Sequence, residues 1–114
     1  AGWLCVEALR CHTLGDKAGS RKAAKEFVEM AGVATSAVLK DDEWLYGRAG
    51  YLHGCLILRH VCGSSTVPDK VVKDVCDTVN KNGARYAATL QRRLAAAAPP
   101  VMWSWQGEEY LGAA

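Results

Sequence analysis

Long hydrophobic runs are missing from this sequence. The longest strongly apolar stretch, Tyr51 to Leu58, falls far short of the roughly 20 residues a bilayer span requires. A strong charge of either sign is missing too: 14 basic and 12 acidic residues leave a net charge of +2. That balance gives no electrostatic reason to place nucleic acid or an anionic membrane surface among the partners. There is no Cys-x-x-Cys, and the 5 cysteines (Cys5, Cys11, Cys55, Cys62 and Cys76) all sit in apolar helical patterns. An odd, unpaired set argues against a disulfide framework and for a reducing cytoplasm. No signal peptide is visible and no Met opens the chain. Ala1-Gly2-Trp3-Leu4 already lies inside an apolar pattern, and Gly112-Ala113-Ala114 brings no polar tail. Both ends are expected to cut through structure, so residues 1–114 are read as part of one larger domain.

Half of the residues are hydrophobic, enough for a packed core. Much of that share is alanine, which buries little area, so the core is expected to be thin. Trp3 to Leu14 is apolar nearly all round and predicts a buried helix. The Gly15–Gly19 cluster stops it, and Ser20 is a good N-cap for the next segment. From Arg21 the pattern is amphipathic: Ala23, Ala24, Phe27, Met30, Ala31 and Ala34 share one side. Lys22–Glu26 and Lys25–Glu29 are available as i,i+4 pairs on the other. Gly32 is expected to weaken the end of this helix. Lys40-Asp41-Asp42-Glu43 is a polar connection.

Gly47-Arg48-Ala49-Gly50 then opens a second nearly all-apolar helix, Tyr51 to Cys62, which Gly63 to Thr66 ends. Thr66 or Ser65 is the expected cap of the following helix, with Pro68 in its first turn. That helix is amphipathic again; Gly83 is a candidate break and Pro99-Pro100 the firm stop. Val101 to Leu111 is aromatic-rich and predicts a short β-hairpin or loop turning at Gln106-Gly107. Residues 1–15 and 49–63 align at an offset of 48 with 5 identities, among them His12 with His60 and Gly15 with Gly63. The class is all-α. Two pairs of apolar inner and amphipathic outer helices suggest concentric layers, as in an α/α toroid; an open solenoid is the competing geometry.

Two stretches carry a family resemblance: Leu45-Tyr46-Gly47-Arg48-Ala49-Gly50-Tyr51-Leu52, and Pro100-Val101-Met102-Trp103-Ser104-Trp105-Gln106-Gly107-Glu108-Glu109-Tyr110-Leu111-Gly112-Ala113-Ala114. Together, at this separation, they resemble eukaryotic lanthionine synthetase C-like proteins, with the chain as an internal fragment. The resemblance implies a partial α/α toroid. For a full-length parent it implies zinc, glutathione as thiol donor, and thiol addition to dehydroalanine or dehydrobutyrine in a dehydrated peptide. Zinc would lower the thiol pKa so that thiolate is present at neutral pH. It also implies a cytoplasmic protein, with peripheral attachment at the plasma membrane as an option. None of the family's zinc ligands maps onto this chain, so no metal or other cofactor is assigned to it. The fragment alone is expected to be inactive. Cys11-His12 is the one adjacent Cys-His pair; Thr13 follows it rather than Gly, and we read it as structural.

The site candidates each have a plainer reading. Glu43, four residues before Gly47, could assist proton transfer at a helix mouth or be one more solvated charge. Arg48 could bind a phosphate or carboxylate, or hold Glu43 or a loop carbonyl. Tyr46 and Trp105, with Trp103 and Tyr110, could face substrate or pack against the rim. His53 and His60 read as core or rim residues, and the cysteines as buried small apolar groups. Two further function classes stay open: a non-catalytic αα-repeat scaffold, and a six-hairpin glycosidase-type toroid. The latter would want paired carboxylates at the inner-helix mouths.

Overall fold

The structure, a computed structural model, describes residues 1–95, 97 and 99–112. Its regular structure is helical apart from one hairpin. Helix α1 covers Gly2–Thr13, α2 Lys17–Glu29, α3 Ala31–Ala34, α4 Arg48–Cys62 and α5 Asp69–Leu94. A 3-10 turn, Ser64–Thr66, joins α4 to α5, and strands β1 (Trp103–Trp105) and β2 (Glu108–Tyr110) close the order.

The two repeats fold alike. Both inner helices end at a glycine in the left-handed region, Gly15 with φ 78° and Gly63 with φ 109°, where other residues are strained. Helices α1 and α4 lie side by side and parallel, since their first turns line one cavity and their last turns another. Helix α2 backs α1 and reaches α4 through Phe27, and α5 backs α4. The body is two helices thick and elongated, 57 × 24 × 23 Å.

Phe27 anchors the core. It is 1% exposed and stacks on Tyr51 of α4, ring centroids 4.6 Å apart and 10° from parallel. Such a pair adds about 1 kcal/mol beyond its burial. The Tyr51 hydroxyl donates to the Phe27 carbonyl at 3.0 Å, so one side chain ties α4 to α2 by both stacking and a hydrogen bond. Leu58, Val67, Val75 and Cys55 fill the rest, with alanines between them.

Several boundaries differ from the sequence reading. Helix α2 starts at Lys17: Asp16 is its N-cap, accepting from the Gly19 amide at 2.9 Å, and Ser20 lies buried inside the helix. Pro68 occupies the N-cap position of α5 itself, while Ser65 and Thr66 form the 3-10 turn. Gly83 does not break α5. The helix stops at Leu94, where Ala95 turns left-handed with φ 48°, ahead of Pro99-Pro100. Helices α1 and α4 are not covered all round: Trp3, Val6, Leu56 and Val61 are exposed. Each buries one face against its outer partner and leaves the other open.

The hairpin forms as predicted. Gln106 and Gly107 both have positive φ, 50° and 87°, the requirement of a tight two-residue turn between twisted strands. Trp103 pairs with Tyr110 and Trp105 with Glu108. The hairpin docks on α5 through Gly83. A Cβ there would stand 2.5 Å from Trp103 Cε2, so only glycine admits the indole. The Trp103 Nε1–H donates to the Val79 carbonyl at 3.0 Å, and the Met102 amide donates to the Gly83 carbonyl at 3.1 Å. On the far side Glu109 accepts from Tyr86 and Arg93.

Candidate functional site

The N-terminal ends of α1 and α4 face a groove of about 580 Å³. Its rim is the connection between α3 and α4, and the architecture of that connection rests on one side chain. Arg48, 2% exposed, has five N–H donors, and all five are used. Nε donates to the Ala34 carbonyl at 2.6 Å. One terminal nitrogen donates to Asp42 Oδ1 at 2.9 Å and to the Asp41 carbonyl at 3.4 Å. The other reaches the Ser36 and Leu39 carbonyls at 2.8 and 2.5 Å. The guanidinium thus sits inside the loop as its scaffold. Of the two readings of Arg48, the geometry displays the loop-holding one.

Asp42 completes this arrangement. It lies between the Arg48 ion pair and the side-chain amide of Asn82 on α5, whose Nδ2 stands 3.0 Å from Oδ2. One carboxylate therefore joins the loop, the inner helix and the outer helix. In the sequence Asp42 is simply one residue of the polar connection Lys40-Asp41-Asp42-Glu43. Nothing local distinguishes it, because Asn82 arrives from 40 residues away.

Glu43 is buried, at 4% exposure, rather than solvated. One carboxylate oxygen accepts from the Leu45 amide at 2.5 Å and the other from the Tyr46 amide. It closes a tight turn that pushes Trp44, Leu45 and Tyr46 outward. Two glycines let this turn lie on the helix: a Cβ on Gly50 would fall 2.0 Å from the Trp44 carbonyl oxygen, and one on Gly47 2.5 Å from the Glu43 amide. The motif glycines thus serve close packing.

Trp44, Leu45 and Tyr46 line the groove together with Val33, Leu39, His53 and Ile57. Tyr46 is 78% exposed. His53 is exposed and sits 4.4 Å, centroid to centroid, from the Trp44 ring at the groove rim; His60 is exposed in the last turn of α4. Trp105 is elsewhere. It lines a narrow cleft with Asp42, Glu43, Ser104 and Tyr110, behind the loop that presents Tyr46. The structure brings Glu43, Arg48 and Tyr46 together at the α3–α4 connection, but of these only Tyr46 lines the groove, and Trp105 shares its cleft with Glu43.

No donor set for a metal is present: among the described residues no three His, Cys, Asp or Glu side chains come together. Cys5, Cys11 and Cys55 are tuned the wrong way for nucleophiles or ligands, which need thiolate. Burial pushes the Cys55 thiol up to about 11, and burial likewise raises Cys5 and Cys11. Cys11 also donates to Glu7 Oε1 at 3.5 Å. Zinc therefore does not fit these residues. Among the described residues no helix is long and apolar enough to cross a membrane.

Comparison with known proteins agrees with the two motifs. The family model for lanthionine synthetase C-like protein matches residues 2–114. Among curated proteins, glutathione S-transferase LANCL1 of Danio rerio is 28% identical over 115 residues, a match that takes in 100% of this chain and 28% of that protein. The chain thus spans little more than a quarter of that relative's length. With a family match over nearly every residue, and both signature stretches inside it, the chain belongs to the lanthionine synthetase C-like family.

Proposed function

We propose that this chain forms wall and mouth of an α/α toroid whose whole protein adds glutathione, through its thiol, across the double bond of dehydroalanine or dehydrobutyrine residues. The observation that carries this reading is the braced loop at the N-terminus of α4. Arg48, Asp42 and Glu43 are committed to holding it, and the groups it offers outward are the Trp44, Leu45 and Tyr46 side chains over an apolar groove. A preformed apolar groove with an aromatic rim suits an extended peptide segment. The uncovered faces of α1 and α4 suit further inner helices beside them. The name of the Danio rerio relative supplies glutathione.

In this reading the chain's own residues bind and orient; they do not activate the thiol. Zinc has no donor set among the described residues, so no step is assigned to it. The fragment alone is inactive. The glycosidase-type alternative wants two free carboxylates at a helix mouth, whereas Asp42 and Glu43 are both engaged. The scaffold alternative shares the groove and differs only in chemistry.

A chimera tests the proposal. This chain replaces its counterpart in the Danio rerio relative, and the folded product is incubated with glutathione and a dehydrobutyrine peptide. A glutathione adduct seen by mass spectrometry is the expected result. A folded chimera that binds the peptide but forms no adduct, beside an active parent, would favour the scaffold.

A further inference from the structure

The opposite end of the α1–α4 pair holds a second cavity, of about 570 Å³. It is lined by His12 from the last turn of α1, by Lys17, Arg21 and Lys25 along α2, and by Ser65 and Thr66 from the 3-10 turn. The three α2 cations are four residues apart and so share one helix face. No Asp or Glu belongs to the lining. Of the nearby acids, Asp16 caps α2 and Asp69 pairs with Arg59 at 2.7 Å, while Glu29 stands 3.9 Å from Lys25 and offsets that one cation. Among the described residues Lys17 and Arg21 form no ion pair. Arg21 donates through Nε to the Lys17 carbonyl at 3.2 Å, which leaves its terminal nitrogens free to turn toward the cavity.

The floor adds an independent observation. Ser20 is 6% exposed, yet among the described residues its hydroxyl bonds only to the Cys62 sulfur, at 4.0 Å. A buried hydroxyl normally finds a better partner. This one lies on the cavity wall with capacity to spare.

We propose that this cavity is an anion site for a phosphate monoester. A dianion with three terminal oxygens matches cations on one side and hydroxyls on another, and an arginine fork favours phosphate. The volume exceeds that of phosphate itself, so the phosphate is one end of a larger molecule. A soluble phosphorylated metabolite and the headgroup of a phosphomonoester lipid share this chemistry.

The test titrates the full chain with glycerol 3-phosphate by calorimetry, and in a second arm with phosphatidylcholine vesicles carrying phosphatidic acid. Expected is saturable binding in at least one arm that weakens with added salt. The double variant Lys17→Gln/Arg21→Gln should weaken it about tenfold or more, as loss of a charge-assisted bond does. Lys22→Gln, exposed and outside the lining, should leave it unchanged. Binding in the soluble arm identifies a metabolite; binding to vesicles alone identifies a lipid. No saturable binding in either arm, equal loss with Lys22→Gln, or equal affinity for succinate would overturn the proposal.

Discussion

Substituting Gly83 with alanine sets two effects of opposite sign against each other. In the middle of a helix, alanine is better than glycine by about 1 kcal/mol. Here, however, the new Cβ would lie 2.5 to 2.8 Å from Cε2, Cζ2 and Nε1 of Trp103. Ordinary contact requires the ring to retreat by about 1 Å. The indole bond to Val79, now 3.0 Å, would stretch beyond bonding distance. The Met102 bond to the Gly83 carbonyl, 3.1 Å, would follow, because strand and ring move together. Two bonds at about 1 kcal/mol each outweigh the helical gain. Gly83→Ala should therefore destabilise the chain by about 1 kcal/mol, read by urea unfolding followed by far-UV ellipticity. In a Trp103→Ala background the obstruction is gone, and the same substitution should stabilise by about 1 kcal/mol. The sign reversal is the test, because a double-mutant cycle isolates the contact. The same sign in both backgrounds would refute the docking of the hairpin through Gly83.

Three further outcomes are expected. Arg48→Met removes five donors and strands Asp42, which retains Asn82; a loss of about 3 kcal/mol is expected in urea unfolding, the low end for breaking a buried pair, and Arg48→Lys should restore only part. The buried Cys55 thiol, pushed to about 11 from 9.0, holds its proton more tightly folded than unfolded. Its contribution is complete below about pH 9 and is lost as the pH rises toward 11; the folded chain should therefore lose stability over that window, less so as Cys55→Ala, and at pH 8 iodoacetamide should label the half-buried Cys62 and Cys76 before Cys55. The apolar surface left open, with Trp3 73% and Leu45 71% exposed, should drive self-association: sedimentation should show mass rising with concentration, reduced by Leu45→Ser/Tyr46→Ser, whereas a clean monomer at every concentration would contradict it.

What was legible in the sequence depended on range. The 48-residue repeat, the four long helices and the Gln106-Gly107 turn rest on neighbours within a few positions, and periodicity or turn chemistry reports such neighbours directly. Asp16 and Ser20 are both good caps, and only the Gly19 amide bond decides between them. Gly83 looked like a break because a glycine costs a helix stability; its reason is an indole 20 residues further on. Asp42 and Glu43 stand in a run of four polar residues, which leaves a solvated charge as the plainer reading of Glu43 and nothing to single out Asp42. The half-buried place of Asp42 comes from Arg48 and Asn82, and the burial of Glu43 from the loop's own amides, none of which a periodic pattern encodes.

That difference matters for the mouth of the groove. The charged residues that drew attention as chemistry are the ones most fully bonded to the protein, while the groups in the groove are aromatic and aliphatic. A guanidinium with all five N–H groups occupied gains nothing from a ligand unless the loop opens, and opening it would uncover Asp42 at the same moment. Under the proposed function a bound peptide would therefore meet a fixed rim of Trp44, Leu45 and Tyr46, with shape and apolar area setting its affinity. Tyr46→Ala and Leu45→Ala should weaken peptide binding to the chimera without altering its melting temperature. Arg48→Met should lower the melting temperature, and binding should fall only as the folded fraction falls. A variant of Arg48 that folds with wild-type stability and still loses the peptide would show that the guanidinium leaves its cage, and that the rim is built to move.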